Sequence, residues 1–299
     1  MRLRLGLIGF SDGNAHPYSW SAICNGYSVT HMQNCGFSVI PEYLAAEVWP
    51  AARIPNSKVT HVWTQHKALS SHIAKACHIP NVVDSPFEMI GEIDALLLAR
   101  DDAENHLKFV QPFLESRVPV YIDKPIATSI DSLNALYELE KYTGQIFTCS
   151  ALRYASELRV TNEDRQQLGQ IKSIEAVTPK SWEKYAVHII EPVLNIIDTN
   201  DSVLKSSAEP LEGGGVKVSL KYQSGVNVSF TASGPLVAGP ISIRLIGTLS
   251  SKDYIFESTF PAFKLAITDF LAGIESRTCR SPRAYNERVV SIIEMGLNK

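Results

Sequence analysis

The sequence predicts an α/β chain in two parts: a doubly wound parallel sheet first, then a second α+β domain built on a mainly antiparallel open sheet. In the first half, short continuous apolar runs alternate with longer stretches of helical periodicity, as parallel strands covered on both faces require. From about Ala151 the rhythm becomes alternation of apolar and polar residues, the mark of strands with one solvated face. The length of 299 residues suits two domains, and 45% hydrophobic against 20% charged residues supplies a globular core for each.

The first strand is LRLGLIGF from Leu3; it follows a basic start, but the apolar run is too short for a signal sequence and no cleavage pattern follows. VTHVWTQ, IDALLLAR, PVYIDKP and QIFTCSALRY supply the later strands, each bounded by turn residues. In AENHLKFVQPFLESR, Pro112 predicts a kink or an interruption of the helix. Thr128 or Ser129 can cap a helix over 129–144, stopped by Gly144, with Leu133, Leu136, Tyr137 and Leu139 close to one face. That helix links or packs on a first domain of residues 1–125, and residues 146–299 form the second. There, IKSIEAVTP, GVKVSLKYQSG and VNVSFTASG alternate as half-covered strands, EGGG and YQSG provide turns, and FPAFKLAITDFLAGIES is a helix.

A net charge of -3 gives no bulk attraction to nucleic acid or anionic lipid, and no apolar stretch is long enough to span a bilayer. The five cysteines are scattered with no CxxC pair, which favours reduced thiols in a cytoplasmic protein. The eight histidines form no HExxH or other close ligand set, so no metal site is expected, and no GxSxG elbow supports a hydrolase.

Ligands of open parallel sheets bind at the carboxyl ends of the strands. After the first strand comes GFSDGNAHPYSW, where Gly9 and Gly13 allow close backbone approach and the following helix can aim its N-terminus at a pyrophosphate. Ser11 stands where a GxGxxG fingerprint has its second glycine, so a dinucleotide loop and a plain βα turn both remain open. The second strand ends in Thr64 and Gln65 with no acid for ribose hydroxyls, which leaves NAD and NADP both admissible. The long stretch 27–58 is either a packed excursion near the site or structural decoration. Arg100 to Asp102 follow the strand IDALLLAR, where they can meet a cofactor, and Asp101 or Asp102 is expected to cap the next helix. Asp123 and Lys124 end a strand that reads as buried. A lysine there can hold a substrate hydroxyl and assist its proton transfer; the bland alternative is a surface ion pair.

LGLIGF with its following glycine, IDALLLARDDAENH, VYIDKP, FTCSALRY and AFKLAITDFLAGIES together, and in this order, resemble the Gfo/Idh/MocA oxidoreductases. IDKP is similar to that family's EKP motif, with Asp123 in place of Glu. The resemblance implies a Rossmann domain and an NAD(P)-dependent oxidoreductase. It would move a hydride between nicotinamide and a secondary alcohol or ketone of a sugar, cyclitol or nucleotide sugar. Carried over residue by residue, Lys124 sits beside the reacting carbon and Asp123 toward the cofactor ribose. Gly9, Phe10, Ser11, Gly13, Thr64, Gln65, Ala99, Arg100 and His106 complete the expected cofactor set.

In SWEKYAVHIIEPVLNII, His188 matches the family's acid/base histidine, but Lys184 stands four residues before it where the family has Asp. Helical spacing puts Lys184, Tyr185 and His188 near one face. His188 is then the proton acceptor in alcohol oxidation, with Tyr185 or Lys124 completing the relay, or the departure marks altered chemistry. Arg153, Tyr154 and Lys184 join Lys124 and His188 as expected substrate contacts. The resemblance also implies a homo-oligomer, a dimer or tetramer, formed through the exposed sheet face. Two alternatives stay open: a non-catalytic dinucleotide-binding sensor or structural protein, and an enzyme that recycles a tightly bound NAD internally.

Overall fold

The computed structural model describes residues 2–299. The chain divides into two compact units. The first comprises Met1–Ala127, Asp131–Thr148 and Phe263–Arg283; the second comprises Thr128–Ile130, Cys149–Ala262 and Ala284–Lys299.

The first unit holds β1 (Leu3–Ile8), α1 (His16–Asn25), α2 (Val29–Met32), α3 (Val39–Ala45), β2 (Ser57–Trp63) and α4 (Lys67–Ala76). These are followed by β3 (Asn81–Val82), β4 (Ala95–Leu98), α5 (His106–Glu115), β5 (Val120–Ile122), α6 (Ile130–Tyr137) and β6 (Ile146–Phe147). The strands form one parallel sheet in the order β3-β2-β1-β4-β5-β6, which reverses between β1 and β4. Every residue of β4 and β5 is buried, as expected of strands covered on both faces. The two-residue β3 carries no apolar run long enough to announce it.

Three expectations need correction here. Helix α5 continues through Pro112, so of the kink or interruption expected there the interruption is absent. The residue whose carbonyl loses its helical donor, Lys108, is exposed, so water can replace the bond. The helix expected over 129–144 ends at Tyr137. Beyond it, side chains take the backbone donors: Glu140 Oε1 accepts from Gly144 N at 3.0 Å and Gln145 Oε1 from Lys141 N at 2.7 Å. Extended chain was expected through QIFTCSALRY, but β6 stops at Phe147 and Ala151–Tyr154 form a 3-10 turn capped by Ser150.

The second unit adds α7 (Asn162–Leu168), β7 (Ile171–Thr178), α8 (Trp182–Tyr185), α9 (Val187–Leu194), β8 (Val203–Leu211), β9 (Gly215–Tyr222), β10 (Asn227–Ala232), β11 (Ser242–Gly247) and β12 (Ser251–Ile255). Its sheet runs β12-β11-β7-β10-β9-β8, antiparallel except for the β7–β10 pair. Ile174, Ala176, Val218, Leu220, Phe230 and Leu245 point to the buried face. The other face is polar: one register row runs Asp253, Arg244, Glu175, Ser229, Ser219, Ser207 across all six strands. Pro210 lies in β8, an edge strand, where a missing donor is tolerated.

Two long helices, α10 (Thr259–Ser276) and α11 (Arg283–Leu297), close the chain. The expected second domain of residues 146–299 differs from the observed division, because Phe263–Arg283 belongs to the first unit. The reason is aromatic packing. Tyr121 on β5 touches Trp20 (ring centroids 4.6 Å), Phe147 (4.8 Å) and Phe270 of α10 (5.6 Å). Each such pair contributes about 0.5–1.5 kcal/mol beyond the area it buries. Phe263 meets the edge of His16 at 5.0 Å.

Candidate active site

The switch point of the parallel sheet gathers three loops, after β1, β4 and β5. A Cβ on Gly9 would lie 2.7 Å from the Pro17 ring, so only glycine lets the chain turn this close to α1. Gly13 has φ of 73° and nothing within 4 Å of its Cβ position. Among the described residues, the N–H groups of Ser11, Asp12 and Gly13 donate to no group of the chain. Such a run of unengaged amides fits a pyrophosphate. Helix α1 adds less than expected: His16 N donates to Asn14 Oδ1 at 2.8 Å, Pro17 has no N–H, and Tyr18 N donates to Ala15 O at 3.1 Å.

Asp123 is fully buried. Its Oδ2 accepts from Asn14 Nδ2 at 2.8 Å and lies 2.6 Å from His16 Nδ1, while its Oδ1 accepts from Lys124 N at 2.8 Å. Burial alone would raise this carboxyl, but His16, Lys124 and Asn14 outweigh it and hold the carboxyl down at about 2. Both oxygens serve the loop frame, so Asp123 does not reach toward a ribose as expected. Lys124 is buried to 6% exposure, with Nζ 3.8 Å from Asp101 Oδ2. Asp101 is fixed in turn by Ser11, whose hydroxyl donates to Oδ1 at 2.7 Å and accepts from Asp101 N at 3.0 Å.

The expected caps are absent: Asp102 precedes a short 3-10 turn without a side-chain cap bond, and its carboxylate pairs with Arg100. Arg100 is thereby held inside, also donating to Gln65 Oε1 at 3.1 Å and lying over the Phe109 ring. Gln65 makes a peptide-like double bond to the glycine loop, donating to Phe10 O at 2.7 Å and accepting from Phe10 N at 3.1 Å. Thr64 closes its own turn through His66 O and Ser70 Oγ. Ala99 is buried and donates its N–H to Ile8 O at 2.8 Å. His106 is fully buried, with Nε2 2.7 Å from Arg100 O and Nδ1 2.9 Å from Ile126 O. It staples the β4 loop to the β5 loop and has no edge open to a cofactor. Of the stretch 27–58, Phe37 reaches the glycine loop, its ring 6.5 Å from that of Phe10.

In the second unit, the backbone stays helical through Ala186, so α8 and α9 keep a common spacing and Tyr185 meets His188 with ring centroids 5.4 Å apart. Lys184 is half-buried on the same turn. Tyr185 Oη accepts from Lys180 Nζ at 2.6 Å. His188 Nδ1 lies 2.7 Å from Ser150 Oγ. One turn on, buried Glu191 accepts from Arg153 Nε at 2.8 Å and from the Ser150 backbone, and Arg153 lies over the Tyr285 ring. Burial pushes the Glu191 carboxyl up, while Arg153 and the Ser150 amide favour its charged form. Tyr154 ends the 3-10 turn that carries Arg153 and is half-buried.

Sequence reading missed Asn14, His16, Asp101, Ser150, Lys180 and Glu191 as partners. Only Ser150, a cap residue before ALRY, left a local signal. Among the described residues no group of His, Cys, Asp and Glu is arranged to hold a metal ion, and no helix is long and apolar enough to cross a membrane.

Residues 35–150 match the family model described as "Oxidoreductase family, NAD-binding Rossmann fold", the Gfo/Idh/MocA oxidoreductases. The matched segment starts after the glycine loop and α1 and includes Lys124. No curated protein matches the chain. Among solved structures, a probable dehydrogenase from Thermotoga maritima aligns with a TM-score of 0.74 at 12% identity, covering 99% of this chain and 96% of that one. The myo-inositol 2-dehydrogenase of Lactobacillus plantarum gives 0.73 at 11% identity, covering 100% and 98%. A UDP-N-acetylglucosamine 3-dehydrogenase from Acidithiobacillus ferrooxidans gives 0.71 at 13% identity, covering 100% and 97%. At such identities the likeness is one of fold.

Proposed function

We propose that the chain is a Gfo/Idh/MocA oxidoreductase, the family whose NAD-binding Rossmann model residues 35–150 match, and that it acts on a secondary alcohol or ketone of a sugar, cyclitol or nucleotide sugar. On this reading it is an NAD(P)-dependent dehydrogenase. The observation that carries the reading is the Lys124 loop: a buried lysine at the carboxyl end of a central strand, its neighbour Asp123 locked from below, its ammonium facing Asp101. An ordinary surface ion pair would not be built into the frame this way.

A bound nicotinamide supplies or accepts the hydride. The chain's own residues would do the rest. Ser11, Asp12 and Gly13 would hold the pyrophosphate with backbone N–H groups. Lys124 would hold the substrate oxygen with its ammonium. Inositol and UDP-N-acetylglucosamine dehydrogenases among the structural matches, one of them with bound NAD(H) and scyllo-inositol, support the substrate class.

A second reading has specific support. The first-turn donors of α1 are engaged internally, Gln65 stands where a ribose-binding acid is common, and the family match begins only at residue 35. These favour a protein that binds a dinucleotide without turnover. The test is a nicotinamide absorbance assay on protein saturated with NAD, NADH, NADP or NADPH, run against polyols, keto-sugars and nucleotide sugars. Oxidoreductase action gives a substrate-dependent absorbance change, and Lys124→Ala then lowers the chemical rate by about 10²–10⁴-fold with far less loss of cofactor affinity. Saturable binding with no change across the whole panel supports the sensor.

A further inference from the structure

We propose that the first unit carries a second ligand site, at the amino ends of its strands, for a small organic anion: a phosphate monoester with a flat apolar body. A cavity of about 620 Å³ opens there, a volume ordinary for a small-molecule pocket. Asp94 lines it immediately before β4, Pro119 immediately before β5, and Gly144 two residues before β6. The glycine loop, Asp101 and Lys124 follow the carboxyl ends of β1, β4 and β5, so the cavity shares no residue with the candidate dinucleotide site.

Two helices end on this cavity in the same way. At the end of α5, Arg117 N donates to Leu114 O at 3.0 Å and Val118 N to Phe113 O at 2.9 Å. At the end of α10, Arg277 N donates to Ile274 O at 3.4 Å and Thr278 N to Gly273 O at 3.1 Å. Both are Schellman motifs, whose left-handed residue is usually glycine. Here it is arginine both times, with φ of 62° at Arg117 and 54° at Arg277, and both line the cavity. A cation suits a helix C-terminus, and its side chain often bonds the last carbonyls. Neither guanidinium does so: among the described residues neither makes a hydrogen bond or an ion pair with the chain.

Charge and shape then define the ligand. The acid lining the cavity, Asp94, is already engaged by Arg4, which donates to it from Nη2 at 2.9 Å and from its backbone N–H at 2.7 Å. Two guanidiniums remain, and their forked donors match phosphate oxygens. On the same walls stand Ile274, Pro119 and the ring of Tyr142, which is 41% exposed. An open aromatic face and two apolar neighbours suit a flat apolar body carried by the phosphate.

The test is calorimetric titration of the full chain with phenyl phosphate, inorganic phosphate and phenol in mildly alkaline buffer. Phenyl phosphate should bind saturably, phosphate more weakly, and phenol not measurably. Arg117→Gly and Arg277→Gly put glycine where the backbone favours it, so both variants should fold, with thermal midpoints no lower than the parent's. Each should weaken phenyl phosphate binding at least about tenfold, while Gly13→Ala leaves it unchanged. Absence of saturable binding by the parent overturns the proposal. So does binding that survives both arginine substitutions, and so does binding lost in Gly13→Ala, because the anion would then sit on the glycine loop.

Discussion

The two six-stranded sheets bury their strands differently, and each carries its polar cluster on a different kind of support. In the first unit β4 and β5 are buried on both faces, so none of their side chains is open for chemistry. The charged groups sit instead on loops at the strand ends, tied to one another: Ser11 to Asp101, Asp101 to Lys124, Asp123 to His16 and Asn14. In the second unit one sheet face is open and polar, and the cluster is carried by α9, whose His188 and Glu191 are tied to the turn holding Ser150 and Arg153. A doubly covered sheet must place its chemistry at strand ends; a singly covered one can place it on the covering helix.

The sharpest way to break that comparison is to remove the carboxylate that ties the loops. Asp123→Ala leaves half-buried His16, buried Asn14 and the Lys124 amide without their acceptor, and should cost about 3–5 kcal/mol in urea denaturation. A loss below 1 kcal/mol would mean that the loops do not depend on it. Neighbouring strand residues give the next effect. Leu96→Ala and Leu97→Ala, on opposite faces of β4, should each cost about 2–5 kcal/mol. On β9 the same pairing splits: Leu220→Ala should fall in that range, and Ser219→Ala on the open face should stay within about 0.5 kcal/mol. Equal costs on both faces of β9 would show that the open face is covered in solution.

Acid sharpens the comparison further. The Asp123 carboxyl is held at about 2 in the folded chain, below its unfolded value of about 4. Because the folded value is the depressed one, its stabilisation is complete above pH ~4 and is lost as the pH falls through ~2; it amounts to about 2 kcal/mol. Denaturation midpoints between those pH values should fall more steeply in the parent than in Asp123→Asn. Parallel slopes would remove Asp123 from the acid response.

Much of the fold was legible because strand runs and alternation are local. The five quoted runs of the first half locate β1, β2, β4, β5 and β6, and alternation locates β7, β9 and β10. Strand β8 was not legible: almost its whole length is exposed and it carries a proline. The premature end of α6 depends on Glu140 and Gln145 capturing backbone donors, a choice made by side-chain geometry. The placement of Phe263–Arg283 depends on Phe270 finding Tyr121 across a long stretch of chain. At the site, Lys124 and His188 could be named from local motifs. Their partners Asp101 and Ser150, and the donors that turn Asp123 inward, come from sequence separations of 23 to 109 residues that no motif spans.

The most direct test of the central claim is dinucleotide binding by the purified chain, followed by tryptophan fluorescence with NAD, NADH, NADP and NADPH, with Gly13→Ala measured alongside. Saturable binding to the parent protein, weakened in Gly13→Ala beyond what its backbone strain of about 1 kcal/mol explains, is the predicted result. No binding of any of the four, with none released on denaturing the purified protein, would contradict it.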